Sequence, residues 1–111
     1  MITNDLKEDL ITYIDDNLNI GEMGTSNQTP SADDYDLIAG VGDSDVSVSS
    51  SKAGRQITIT YNLNSVTGNG NTYKEYGNFL TGGTLVNRTI FTDLPKTAAV
   101  EFQVSTILQI P

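Results

Sequence analysis

Val100-Glu101-Phe102-Gln103-Val104-Ser105-Thr106-Ile107-Leu108-Gln109-Ile110 is the stretch that decides the fold class of this chain. Val100, Phe102, Val104, Thr106, Leu108 and Ile110 fall on one face, and only Thr106 among them is polar. Glu101, Gln103, Ser105 and Gln109 fall on the other, interrupted by the apolar Ile107. A period of two with one apolar face marks a half-buried antiparallel strand. Upstream, Ile57, Ile59, Tyr61 and Leu63 alternate with Thr58, Thr60 and Asn62 in a second strand rich in β-branched residues. Tyr73–Phe79 and Thr84–Phe91 read as two more, joined through Gly82-Gly83. Gly68-Asn69-Gly70-Asn71 is expected to make a hairpin-type turn before them. Val46 and Val48 suggest a short strand that dissolves into Ser49, Ser50 and Ser51.

The N-terminal segment has a different period. Leu6, Leu10, Ile14 and Leu18 recur every four residues, flanked by Ile11 and Tyr13, which predicts an amphipathic helix over residues 5–18. Asp5 and Glu8 suit its start. Residues 19–45, punctuated by Gly21, Gly24, Pro30, Gly40 and Gly42, read as a long connection. Ile20, Met23, Tyr35, Leu37, Ile38 and Val41 would hold it to the core. The expected architecture is mainly β: a small antiparallel β-sandwich over residues 20–111 carrying one N-terminal amphipathic α-helix over 1–19, in a single domain.

Composition removes whole classes of chemistry. Among 111 residues there is no cysteine and no histidine, so disulfides, thiolate metal sites and Ser-His-Asp or Cys-His catalysis are excluded. A net charge of −8 repels phosphate backbones and anionic lipid, so neither nucleic acid nor membrane is an expected partner. No apolar run approaches the ~20 residues of a membrane-spanning helix. The first residues are acidic and helical, without the basic start of a signal peptide, so synthesis in a cytoplasm is expected.

Few residues invite a chemical role. Asp34 and Asp36, with Asp33 beside them and Asp43 and Asp45 nearby, are the best candidates for a cation site, because calcium takes several oxygen ligands from a turning backbone. The glycine-and-glutamate grammar of an EF-hand is missing, and solvated loop acids are the simpler expectation, so no metal or cofactor is expected. Glu75 and Glu101 are the acids within predicted strands and are expected on exposed faces. Without tryptophan or an aromatic cleft they do not suggest a glycosidase pair, and the chain is not expected to be an enzyme. Arg88 shares a face with Val86 and Ile90 and is expected to pair with a carboxylate such as Glu75.

Two segments combine into a broader pattern. The first runs Ile20-Gly21-Glu22-Met23-Gly24-Thr25 through Pro30, Asp34 and Asp36 to Leu37. The second is Glu75-Tyr76-Gly77-Asn78-Phe79, then Gly82-Gly83-Thr84-Leu85-Val86-Asn87-Arg88-Thr89-Ile90-Phe91, Lys96-Thr97 and the terminal strand. Together, over residues 20–110, they resemble a family of small virion structural proteins of tailed bacteriophages and tailed archaeal viruses. Its members carry a Gly-x-Gly-Thr…Pro…Asp…Leu loop, a Glu-x-Gly-Phe strand and a Gly-Gly-x-Leu-x-x-Arg-x-x-Phe hairpin. Glu22 stands where a small residue is usual, and Asn78 where an aliphatic one is.

The resemblance implies a non-enzymatic, oligomeric component of a virus particle: tail, neck, fibre base or capsid decoration. Its partners would be other virion proteins and further copies of itself, and its location the virion, after synthesis in the host cytoplasm. Leu6, Leu10, Ile14 and Leu18 on the helix, with Ile107 on the terminal strand, are the expected docking residues. An alternative is a host-surface carbohydrate-binding module of the virion, using loops 24–45 and 64–72 with Tyr61, Tyr73 and Tyr76 stacked on sugars.

Overall fold

The computed structural model describes residues 1–111. Helix α1 spans Asn4–Asn17, and its N-cap is Thr3, whose side chain accepts from the Leu6 N–H at 3.3 Å. Capping therefore falls to Thr3, ahead of the Asp5 expected from sequence. Seven strands follow: β1 (Leu18–Gly24), β2 (Val46–Ser47), β3 (Ser49–Ala53), β4 (Gln56–Leu63), β5 (Thr72–Leu80), β6 (Leu85–Pro95) and β7 (Phe102–Gln109). A single 3-10 turn, Gly42–Ser44, precedes β2. Sheet A has the order β2-β1-β5-β6 and sheet B the order β3-β4-β7, with every neighbouring pair antiparallel. The expected small β-sandwich with one N-terminal helix is the fold.

Three local expectations are corrected. Residues 18–24 form an interior strand of sheet A, entered from α1 without a loop, where the last helical residue, Leu18, and a connection from residue 19 were expected. Its glycines make room for neighbours: a Cβ on Gly21 would stand 2.5 Å from the Tyr61 ring and 2.5 Å from the Tyr76 hydroxyl. The serine run is likewise a strand, β3, because its backbone pairs with β4 from Ser49↔Thr60 to Ala53↔Gln56. Gly68–Asn71 is not a hairpin turn, since it carries the chain from β4 in sheet B to β5 in sheet A. The hairpins turn at Gly82-Gly83, as expected, and at Gly54, and their φ angles of 96°, 94° and 59° favour glycine.

Two apolar clusters fill the interior. Met23, Tyr61, Leu63, Tyr73 and Tyr76 lie between the sheets, with the Tyr61 and Tyr76 rings edge-on at 4.9 Å. Ile11, Ile57 and Ile59 form the second cluster, where α1 replaces sheet A as the layer over sheet B. Ile14, Leu18, Leu108 and Ile110 pack against it. Helix and sheet A thus cover successive lengths of β4, and the molecule extends 47 × 25 × 24 Å.

Candidate functional site

The side of sheet A turned away from sheet B is covered by the chain itself. On β5, Tyr76 and Asn78 point inward, toward Tyr61 and Thr106 respectively, so Glu75 and Gly77 between them point outward. Residues 25–41 fold back over that outer face. Glu75 is fully buried beneath them and is their anchor. Its Oε1 accepts from Arg88 Nε at 2.8 Å and from the Ile38 N–H at 2.9 Å. Its Oε2 accepts from the N–H groups of Ser26 at 3.1 Å and Ala39 at 2.9 Å. Asp34 Oδ2 stands 3.4 Å from Arg88 Nη1 and accepts from the Ser31 N–H. Burial pushes the Glu75 carboxyl up, but the Arg88 hydrogen bond and the three backbone donors outweigh it and hold the group below the usual carboxylate range.

Small residues make this closure possible. A Cβ on Gly24 would stand 2.5 Å from Glu75 Oε2, and one on Gly77 would stand 2.8 Å from Leu37 Cδ2. The sequence pairing of Arg88 with Glu75 is present, but Glu75 is not on an exposed face. Its strand lies inside sheet A, between β1 and β6, and the loop seals the remaining side. Glu101 precedes β7 and is exposed.

Beside the clamp, Glu22 and Asp45 form a carboxyl–carboxylate pair that the sequence did not signal. Burial, the hydrogen bond to Asp45 and the charges of Asp45, Asp36 and Glu75 push the Glu22 carboxyl up to about 8. Glu22 also borders an open recess of about 440 Å³ with Tyr35, Asp36, Phe79 and Leu80. Tyr35 is 86% exposed at its rim.

The cation candidates are not gathered. Asp34 is turned to Arg88, Asp36 accepts from the Leu37 N–H, Asp43 lies in the 3-10 turn, and Asp45 faces Glu22. No group of three or more acidic side chains is arranged to hold a metal ion. Of the expected docking residues, Leu6, Leu10 and Ile107 are exposed, whereas Ile14 and Leu18 pack on the Ile11 cluster. Tyr61, Tyr73 and Tyr76 are fully buried, so none of the three can stack on a sugar. Their hydroxyls are spent internally, Tyr61 donating to Ser44 C=O at 2.6 Å and Tyr73 to Gly68 C=O at 2.7 Å, while Tyr76 meets Asn78.

The outer face of sheet B is the opposite of the clamped face. β4 presents Gln56, Thr58, Thr60 and Asn62 there, opposite Gln109, Ile107, Ser105 and Gln103 of β7. Ser49, Ser51 and Ala53 continue the face on β3. Within the paired strands no acidic or basic side chain lies on it; Glu101, just before β7, continues the Gln103 row at one end. No loop crosses it, and Ile107 is 64% exposed.

No protein-family model, curated protein or solved structure matches this chain. No helix is long and apolar enough to cross a membrane.

Proposed function

We propose that this chain is a non-enzymatic structural and assembly protein of a tailed-virus particle, working as a homo-oligomer that docks on other virion proteins of the tail, neck, fibre base or capsid surface. The observation that carries the reading is the use made of the quoted motif residues. Gly24, Asp34, Leu37, Glu75, Gly77 and Arg88 converge on one buried clamp whose polar groups hold a loop to a sheet. Such a pattern serves the shape of a scaffold: Glu75, Asp34 and Arg88 are all engaged in holding the loop, with Arg88 Nη2 alone left without a partner. The exposed Leu6, Leu10 and Ile107 and the uncharged face of sheet B supply surfaces for neighbours. Quantitative mass spectrometry of purified particles tests the reading. A fixed, stoichiometric ratio to the major capsid protein is expected; absence from particles carrying the gene would overturn it.

One observation favours a host-glycan module as a second reading. Tyr35 projects at an open recess that also holds Glu22 and Asp36, an aromatic-plus-acid grouping suited to a sugar ring and its hydroxyls. Binding to host glycans that is lost in Tyr35→Ala would support it, and no binding by the intact protein would remove it.

A further inference from the structure

The free edges of this sandwich are not treated alike. In sheet A, β2 is only Val46–Ser47, and β6 carries Arg88, Asp93 and Pro95 with register shifts against β5. In sheet B, β3 is short and carries Lys52. These are the devices that keep strand edges from pairing with other chains. β7 has none of them. It runs from Phe102 to Gln109 in unbroken register with β4, without charge, proline or bulge, and nothing pairs with its other side.

The direction of its backbone groups follows from one hydrogen bond. The Ile110 N–H donates to Arg55 C=O at 3.0 Å in line with the β4–β7 register. Bond-forming pairs recur at every second residue of an antiparallel ladder. Phe102, Val104, Thr106 and Leu108 therefore turn their backbone groups toward β4. Gln103, Ser105, Ile107 and Gln109 turn theirs to the open edge.

We infer that β7 is the seam between two copies of this chain, which pair antiparallel across a twofold axis at Thr106 and join two copies of sheet B into one continuous sheet. This rests on the oligomeric reading above and names its contact. Charge selects the occupant. Two bodies of −8 repel over most of their surfaces, and the β7 edge with its adjoining face, uncharged from Phe102 to Gln109, lets them pair there without opposing carboxylates, Glu101 lying just outside it. The strand is also self-complementary. With Thr106 on the axis, Ser105 of each copy exchanges N–H···O=C bonds with Ile107 of the other, and residues of one face stay opposite residues of the same face. Val104 then meets Leu108, and Phe102 meets Ile110, on the inner side.

Sedimentation velocity of the purified full chain over a dilution series is the test, with Ser105→Pro and Ile107→Lys as variants. Ser105→Pro removes a donor at the open edge and leaves the bonds to β4 in place. Ile107→Lys places a charge on the bare face. The intact protein is expected to form a dimer that tightens as salt rises from about 0.01 M to about 0.15 M, because screening weakens the repulsion. Each altered contact occurs twice across a twofold, so each variant should weaken the dimer by about tenfold or more. Circular dichroism melts identify a variant that fails to fold, and the other then decides. A monomer at all concentrations, or a dimer unchanged in the folded variants, would overturn the seam. The virion reading stands or falls separately on particle composition: a monomer found in particles defeats the seam alone, and a dimer absent from particles defeats only the virion role.

Discussion

The two outer faces of this sandwich are both built from antiparallel strands and end in opposite conditions. Over sheet A the chain has folded its own loop, pinned by a fully buried Glu75 that accepts from Arg88 and three backbone N–H groups. Over sheet B there is nothing, and the outward residues of its paired strands carry no charge. The covered face needs ions, because loop backbone donors removed from water must find acceptors and one carboxylate satisfies three of them. The β7 edge beside the bare face needs their absence if a second acidic copy is to pair along it, as proposed above. Charge placement thus separates the surface this molecule completes for itself from the bare face and the β7 edge proposed to meet a second copy.

The comparison breaks most sharply at Arg88. Arg88→Leu leaves the Glu75 charge buried with backbone donors alone, and urea unfolding should show a loss of about 3–5 kcal/mol. Limited proteolysis should then cut within residues 26–38. Gly77→Ala pushes a methyl group into Leu37 and Leu85 and should cost about 1–3 kcal/mol by the same measurement, with the ion pair intact. On the bare face, Gln103→Glu should change monomer stability by no more than about 0.5 kcal/mol while weakening self-association in sedimentation.

Dependence on pH sharpens the contrast within the clamped side. The folded Glu75 carboxyl lies below its ordinary value of 4.5, so the stability it contributes is present above that value and is lost as pH falls through the folded one. Glu22 runs the other way. Raised from 4.5 to about 8, it contributes fully below 4.5, and that contribution is lost as pH rises toward 8. Melting temperature should therefore fall on both sides of an optimum. Glu22→Gln should flatten the alkaline limb and leave the acid limb unchanged.

Much of this was legible from residue order. Strict alternation exposed β4 and β7, and a rare arginine set between Val86 and Ile90 identified its pairing with Glu75. What stayed hidden depended on neighbours remote in sequence. Gly21 and Gly24 read as loop residues because the Tyr61, Tyr76 and Glu75 side chains that exclude a Cβ there come from other strands. Ser49–Ser51 has poor strand propensity and is extended only because β4 offers a partner. The helix stripe showed α1 but not its rotation, which buries Ile11 and leaves Leu6 and Leu10 outside. The Glu22–Asp45 pair gave no signal at all, since it forms only when the chain returns alongside β1 after residues 25–41.

Amide hydrogen exchange, read residue by residue at low and high protein concentration, compares the two faces in one experiment. The N–H groups of Ser26, Ile38 and Ala39, held by Glu75, should be protected equally at both concentrations. Those of Ser105 and Ile107 should exchange freely in dilute solution and become protected as concentration rises. Equal exchange of the β7 edge amides at both concentrations, or rapid exchange of the three loop amides, would contradict the account, in which the chain itself covers sheet A and a second copy is proposed to pair with the β7 edge of sheet B.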